Sequence, residues 1–229
     1  LESIFTLLKL FDYINKSKTL DSTKFEKEIR VSILSSFTVN GLAEVIKVKC
    51  AELDIGCKTY ISGYNQFSQE ILNSKGELYK FKSDIIFLIL DTRSILGDLF
   101  FSPYSVTVKE RQNFIKNQIQ NITNLIEKIS AFSNSKIIVT QLEIPSWSPY
   151  GIYENKMEYG LKDMIRDFNK KLTEIVKKKS STYVYDFNSF VMKYGSKNIF
   201  DYRQFFAGDI KISLEFLPLF ADELLGFIK

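Results

Sequence analysis

Ser35, Ser36 and Thr38 lie within Arg30 to Gly41, which reads Arg-Val-Ser-Ile-Leu-Ser-Ser-Phe-Thr-Val-Asn-Gly. The apolar run Val31 to Leu34 gives way there to hydroxyl side chains, and a helical pattern follows at once. A strand, a tight turn and a helix start would set these hydroxyls where ligands gather in an open α/β sheet, at the carboxyl ends of the strands. A helix beginning at that point adds free backbone N–H groups. A serine so placed could act as a nucleophile, and the turn as a whole could bind an anion. The local alternative is that Ser36 or Thr38 only N-caps the helix.

The chain carries no histidine. That removes the commonest general base near neutral pH, excludes a Ser-His-Asp triad and takes away a favoured zinc ligand. Two cysteines are too few for a disulfide framework. Cys50 falls on a helix and Cys57 opens a strand, which predicts buried free thiols. Net charge is +4, with lysines and acids interspersed, so no basic stripe marks a nucleic-acid partner. Lys177, Lys178 and Lys179 close a predicted helix, where cations suit the macrodipole. The longest apolar run, Ile85 to Leu90, is too short to span a bilayer, and no signal peptide is recognisable. The expectation is a cytoplasmic protein with no nucleic-acid and no membrane partner. The chain opens on Leu1, not Met, which points to a fragment of a longer protein.

The elements that must position the serine turn follow from periodicity. A chain of 229 residues, 45% hydrophobic, can bury one large core. Strands are predicted at about 30–34, 57–61, 84–90, 136–142 and 182–187. The third reads Ile-Ile-Phe-Leu-Ile-Leu without a break, as suits a strand buried on both faces of a parallel sheet. Helices are predicted at about 39–53, with Leu42, Val45, Ile46 and Leu53 inward, and at 108–132, 156–178 and 214–228. Residues 66–82 are polar and predict a short helix or loops. Alternating strands and helices predict a three-layer α/β/α sandwich on a five-stranded, mainly parallel, flavodoxin-like sheet of order 2-1-3-4-5. The domain is expected over residues 29–229. Residues 1–28 are read as an N-terminal helix and linker, with Ile4, Leu7, Leu8, Phe11, Tyr13 and Ile14 at helical spacing and a loop or cap at Asp21, Ser22 and Thr23.

In that topology one rim collects Ser35, Ser36, Thr38, Gly63, Tyr64, Asn65, Asp91, Arg93, Glu143 and Trp147. Gly63 could let a ligand approach the backbone. Asp91 and Arg93, two apart, could face a ligand together; they could also form an ion pair with each other, or cap a helix. Trp147 reads as packing or lid. No Gly-rich dinucleotide or P-loop motif is present. Asp91-Thr92-Arg93 lacks the second carboxylate of the Asp-x-Asp motif of haloacid-dehalogenase (HAD) phosphatases, and an arginine there would repel Mg²⁺.

The arrangement resembles the SGNH, or GDSL-type, hydrolases. Leu34-Ser35-Ser36-Phe37-Thr38 stands where that family has Gly-Asp-Ser-Leu-Thr, which implies Ser36 at the nucleophile position, and Gly63 matches the family's glycine. Asp91-Thr92-Arg93 lacks its asparagine. Asp209-Ile210-Lys211-Ile212 keeps the aspartate of the Asp-x-x-His motif, but isoleucine stands for the histidine. With Ser36 as nucleophile, the bases left by motif position are Asp209, Asp91 and Lys211.

A closer resemblance is to the N-terminal region of FkbH-like proteins. It is carried by the stretch 32–42, by Gly63-Tyr64-Asn65-Gln66-Phe67, by Gln69-Glu70-Ile71-Leu72, by Leu78-Tyr79 and by the tail 212–217. The resemblance implies an SGNH-like domain joined to a downstream HAD-type catalytic domain absent from this chain. It also implies Mg²⁺ only in that missing domain, and no cofactor in this one. The implied work is glyceryl or acyl transfer to an acyl carrier protein, or polysaccharide or polyketide biosynthesis, with this domain docking or positioning and not itself catalytic. Two alternatives stand beside it. One is an active serine esterase or acyltransferase built on Ser36 with a non-histidine base. The other is a binding module for a phosphate or sugar at the serine turn, with Arg93 supplying charge.

Overall fold

The computed structural model describes the backbone of residues 2–21 and 24–229, and side chains from residue 10 onward except at 22 and 23. Of the expectations above, the side chains of Ile4, Leu7 and Leu8 and the whole of Ser22 and Thr23 therefore lie outside what is described. Helix α1 is Glu2–Thr19, β1 Lys27–Ser35, α2 Leu42–Ala51 and β2 Ile55–Ile61. Next come α3 Phe67–Leu72, α4 Glu77–Phe81, β3 Ile85–Ile89, α5 Thr92–Leu96 and α6 Val108–Phe132. The chain continues through β4 Lys136–Thr140, α7 Leu161–Val176, β5 Thr182–Tyr185, α8 Phe187–Tyr194 and α9 Ser196–Ile199. It closes with α10 Tyr202–Gly208 and α11 Leu217–Leu225.

The sheet runs β2-β1-β3-β4-β5 and every strand pair is parallel. β3 lies at its centre, in register with β1 through Ile33 and Phe87 and with β4 through Phe87 and Ile138. Alternation divides the strand side chains between two cores. Val31, Ile33, Phe87 and Ile138 pack with α2, α8 and α11. Leu34, Ile86, Leu88, Ile137 and Val139 pack with α6 and α7. Lys49 on α2 pairs with Asp222 on α11 at 2.5 Å and ties two helices of the first layer together. Leu10 of α1 is buried in that first core. Phe11, expected on the apolar face, is exposed, so the face that packs is turned toward Leu10, Tyr13 and Ile14.

The helix after the serine turn starts later than its sequence pattern. Its N-cap is Gly41, at φ 94°, and neither Ser36 nor Thr38 caps it. Five residues lie between the last residue of β1 and Gly41, so the helix N–H groups are not at the serine. The helix also ends early: Leu53, expected inward, is exposed, because the chain leaves α2 at Ala51 and turns at Asp54, φ 59°. A Cβ at Gly41 would need a left-handed backbone and would meet Leu10 Cδ1 at 3.2 Å. Gly41→Ala is expected to cost about 1–2 kcal/mol, read as a lower urea midpoint with an unchanged slope. The other boundary shifts are smaller. Phe187, expected to end the fifth strand, opens α8 because Asp186 caps that helix by accepting from the Ser189 N–H at 3.1 Å. The helix expected from residue 156 begins at Leu161, after a 3-10 turn at Gly151–Lys156. The last helix, expected from residue 214, begins at Leu217 after another 3-10 turn, Leu214–Phe216.

Candidate functional site

The carboxyl ends of β1, β3 and β4 form the rim, and its side chains are joined to one another. Ser36 is fully buried. Its N–H donates to the Ile89 carbonyl at 3.0 Å, and its Oγ accepts from the Asp91 N–H at 2.7 Å. The Ser94 hydroxyl donates to the Ser36 carbonyl at 3.1 Å. These bonds strap the turn after β1 to the end of β3. Ser35 is buried as well, its Oγ accepting from the Phe37 N–H at 3.2 Å.

Asp91 does not pair with Arg93, contrary to one expectation from their spacing. Its Oδ2 caps α5 by accepting from the Ser94 N–H at 3.0 Å, and its Oδ1 receives Lys211 Nζ at 2.6 Å. Because α5 starts at Thr92, Asp91 and Arg93 are not on a continuing strand and face different partners. Lys211 also reaches Glu143 Oε2 at 3.3 Å. All three side chains of this group are buried. Burial pulls the Lys211 pKa down, but Asp91 and Glu143 outweigh it and hold the ammonium above the ordinary lysine value.

Arg93 instead pairs with Asp209 and lies over the Phe205 ring, 4.2 Å from its centroid. The Tyr64 hydroxyl donates to the same Asp209 carboxylate. Thr38 completes this second group: its N–H donates to the Asp209 carbonyl at 2.9 Å and its hydroxyl to the Gly208 carbonyl at 3.0 Å. Asp209 itself sits at φ 53°, a left-handed position that aspartate tolerates better than most residues. Gly63 and Asn65 are exposed in the turn after β2, with Asn65 at φ 50°. Ile212, at the position of the family histidine, is 1% exposed and packs in the α2–α11 core.

The rim thus brings together most of the residues singled out, but as two separate groups. Ser36, Asp91, Lys211 and Glu143 form the first; Thr38, Tyr64, Arg93 and Asp209 form the second. Among the described residues, no hydrogen bond links Asp209 to Ser36. Arg93, offered above as the charge of an anion site, is engaged by Asp209 and the aromatic ring beneath it. Sequence reasoning missed the aromatic wall over the rim, built from Phe100, Phe200, Tyr202 and Phe205 around Trp147. The aromatic density of residues 200–206 was the available signal.

The fold is a three-layer α/β/α domain on an all-parallel sheet of order 2-1-3-4-5, the fold also of solved lipase and acetylxylan esterase structures. Solved structures similar to it include the lipase Lip_vut3 from a goat rumen metagenome, at 14% identity and TM-score 0.61, covering 86% of this chain and 96% of that one. Another is an acetylxylan esterase, Axe2, from Geobacillus stearothermophilus, in a catalytic mutant that replaces a histidine; identity is 15% and TM-score 0.54, over 88% and 94%. The N-terminal part of BF1531 from Bacteroides fragilis, a structure containing a phosphatase domain complexed with Mg, matches at TM-score 0.81 and 17% identity. That match covers 95% of this chain but only 56% of the other, so this chain spans little more than half of it. Comparison with curated protein sequences found no match. The chain belongs to the FkbH N-terminal domain family, whose model matches residues 30–229. Among the described residues no helix is long and apolar enough to cross a membrane.

Proposed function

We propose that this domain hydrolyses nothing. It acts as a docking and positioning unit beside a downstream HAD-type phosphatase or transferase domain, which alone would bind Mg²⁺. The observation that carries this reading is the state of Ser36. Its side chain is sealed from solvent and its Oγ accepts from a backbone N–H, in a chain with no histidine to take its proton. Membership of the FkbH family and the phosphatase-containing neighbour support the partner. The wider setting proposed is glyceryl or acyl transfer to an acyl carrier protein, or polysaccharide or polyketide biosynthesis. Cys50 and Cys57 are buried free thiols, as suits a reducing compartment.

The test is turnover of short acyl esters by the wild-type chain and by Ser36→Ala. The expected result is the same background rate in both. A rate that depends on Ser36 would replace this reading with the serine esterase or acyltransferase. Ser36→Ala should still lower stability by about 1–3 kcal/mol, because it leaves the buried Asp91 N–H without its acceptor. Docking is checked separately by co-purification of the chain with a phosphatase-type domain supplied in trans.

A further inference from the structure

β2 is an edge strand, paired with β1 alone. Its hydrogen-bonding sense is fixed near the rim, where the Ser62 N–H donates to the Ile33 carbonyl at 3.1 Å. Ile33 stands opposite Ile61, and in a parallel ladder a residue bonds to the two neighbours of the one opposite. Lys58, Tyr60 and Ser62 therefore turn their backbone groups to β1, and Cys57, Thr59 and Ile61 turn theirs outward. Among the described residues no hydrogen bond reaches those outward N–H and C=O groups.

A groove of about 280 Å³ runs beside this edge at Cys57, Lys58 and Thr59. Both layers of the fold wall it. Lys47 and Ala51 of α2 stand on one side. Phe81 of α4 stands on the other, with its ring centroid 5.8 Å from that of Tyr60. The space thus lies along the open edge of the strand and not over one face of the sheet.

Two properties select the occupant. A strand edge offers donors and acceptors in alternation, and another extended backbone satisfies both. A small anion or a phosphate chain would leave the Cys57 and Thr59 carbonyls without donors. The second property is charge. No carboxylate lines the groove. Lys47 has no acidic partner among the described residues, and Lys58 shares Glu28, at 2.7 Å, with Arg30, at 3.6 Å. The local excess is positive. Pairing with a second copy of this chain would bring like lysines together on adjoining strands, which is destabilising. A lysine on an edge strand bars indiscriminate pairing, and here it also sets the sign of the partner. Leu20, Phe25 and Phe81 give the partner's remaining side chains apolar surface.

We propose that the outer edge of β2 takes up an extended acidic peptide segment of a partner protein as an added strand. This goes beyond the reading above: the groove lies apart from the serine turn, and ester turnover does not bear on it.

The probe is the capped peptide acetyl-Glu-Val-Glu-Val-Glu-Val-amide, added to the intact wild-type chain and followed by amide hydrogen exchange. In the free chain the Cys57, Thr59 and Ile61 amides should exchange as unbonded groups. Saturating probe should slow them at least about fivefold, while Lys58 and Tyr60, already bonded to β1, stay as they were. The same peptide with lysine in place of glutamate should bind at least about threefold more weakly, and the double variant Lys47→Gln, Lys58→Gln should weaken the acidic probe by a similar factor, the size expected of two exposed ion pairs. If that variant fails to fold, the wild-type exchange data decide alone. Outward amides already slow in the free chain overturn the proposal, because the edge is then taken by the chain's own loop or, where sedimentation shows a dimer, by a second copy. A probe that leaves these amides unchanged overturns it too, as does equal binding of the lysine peptide or equal slowing by glutarate, a small dicarboxylate without a backbone.

Discussion

Lys211→Met is expected to destabilise the domain by about 3–5 kcal/mol, the usual consequence of stranding buried charge. Among the described residues, the lysine is the one cation paired with both Asp91 and Glu143, at 2.6 and 3.3 Å, and all three side chains are shielded from water. Methionine fills much the same volume, so lost packing is a minor part of the effect. The triple variant Lys211→Met, Asp91→Asn, Glu143→Gln removes the stranded charges and should recover at least half of the loss, because neutral groups cost far less to bury than unpaired ions. Urea denaturation of the three proteins measures both numbers. A single variant as stable as wild type would mean that water already reaches the group. The pH dependence has a definite sign. The folded-state pKa of Lys211 lies above its ordinary value of 10.5. Its contribution is therefore fully present below that value and is lost only as pH rises through the higher folded one. Wild-type stability should show no loss from this lysine between neutral pH and about pH 10.

Ile212→His puts back the residue type that the SGNH resemblance lacks, and it is expected to fail twice. The side chain at 212 belongs to the α2–α11 core, and its backbone forms an isolated antiparallel bridge with Phe200. An imidazole there gives up apolar packing and buries a polar ring, at a cost of about 3–5 kcal/mol. In a domain of this size that lowers Tm by on the order of 10 °C, measurable by calorimetry. No ester turnover should appear, because the new ring would enter the core and Ser36 would still be bonded to the Asp91 N–H. Turnover that vanished in Ile212→His, Ser36→Ala would show the geometry of a working site within one substitution of this chain.

The sheet was legible because its information is local. The unbroken run at 85–90 gave the central strand, and repeated isoleucines gave α6 with its observed boundaries. The interior of the rim was not legible, because its partners are distant in sequence. Ser36 and Thr38 look like helix caps in isolation. Their hydroxyls instead bond to groups 55 and 170 residues away, which frees the helix to start at Gly41. Arg93 looked like the partner of Asp91 until α5 began between them and turned the two side chains apart. Glu143 appeared only as one residue of the rim and Lys211 only as a base candidate by motif position, and nothing local revealed that they share a buried, water-poor contact with Asp91.

The bond between Thr38 and Gly208 also sets an order of events in time. Ribosomes add about 5–20 residues each second, so the two ends of a contact spanning 170 residues emerge on the order of ten to thirty seconds apart. In the later part of that interval first Asp91 and then Glu143 wait without Lys211. The nascent domain must tolerate an open, acidic rim, and a polypeptide released before residue 211 would keep it.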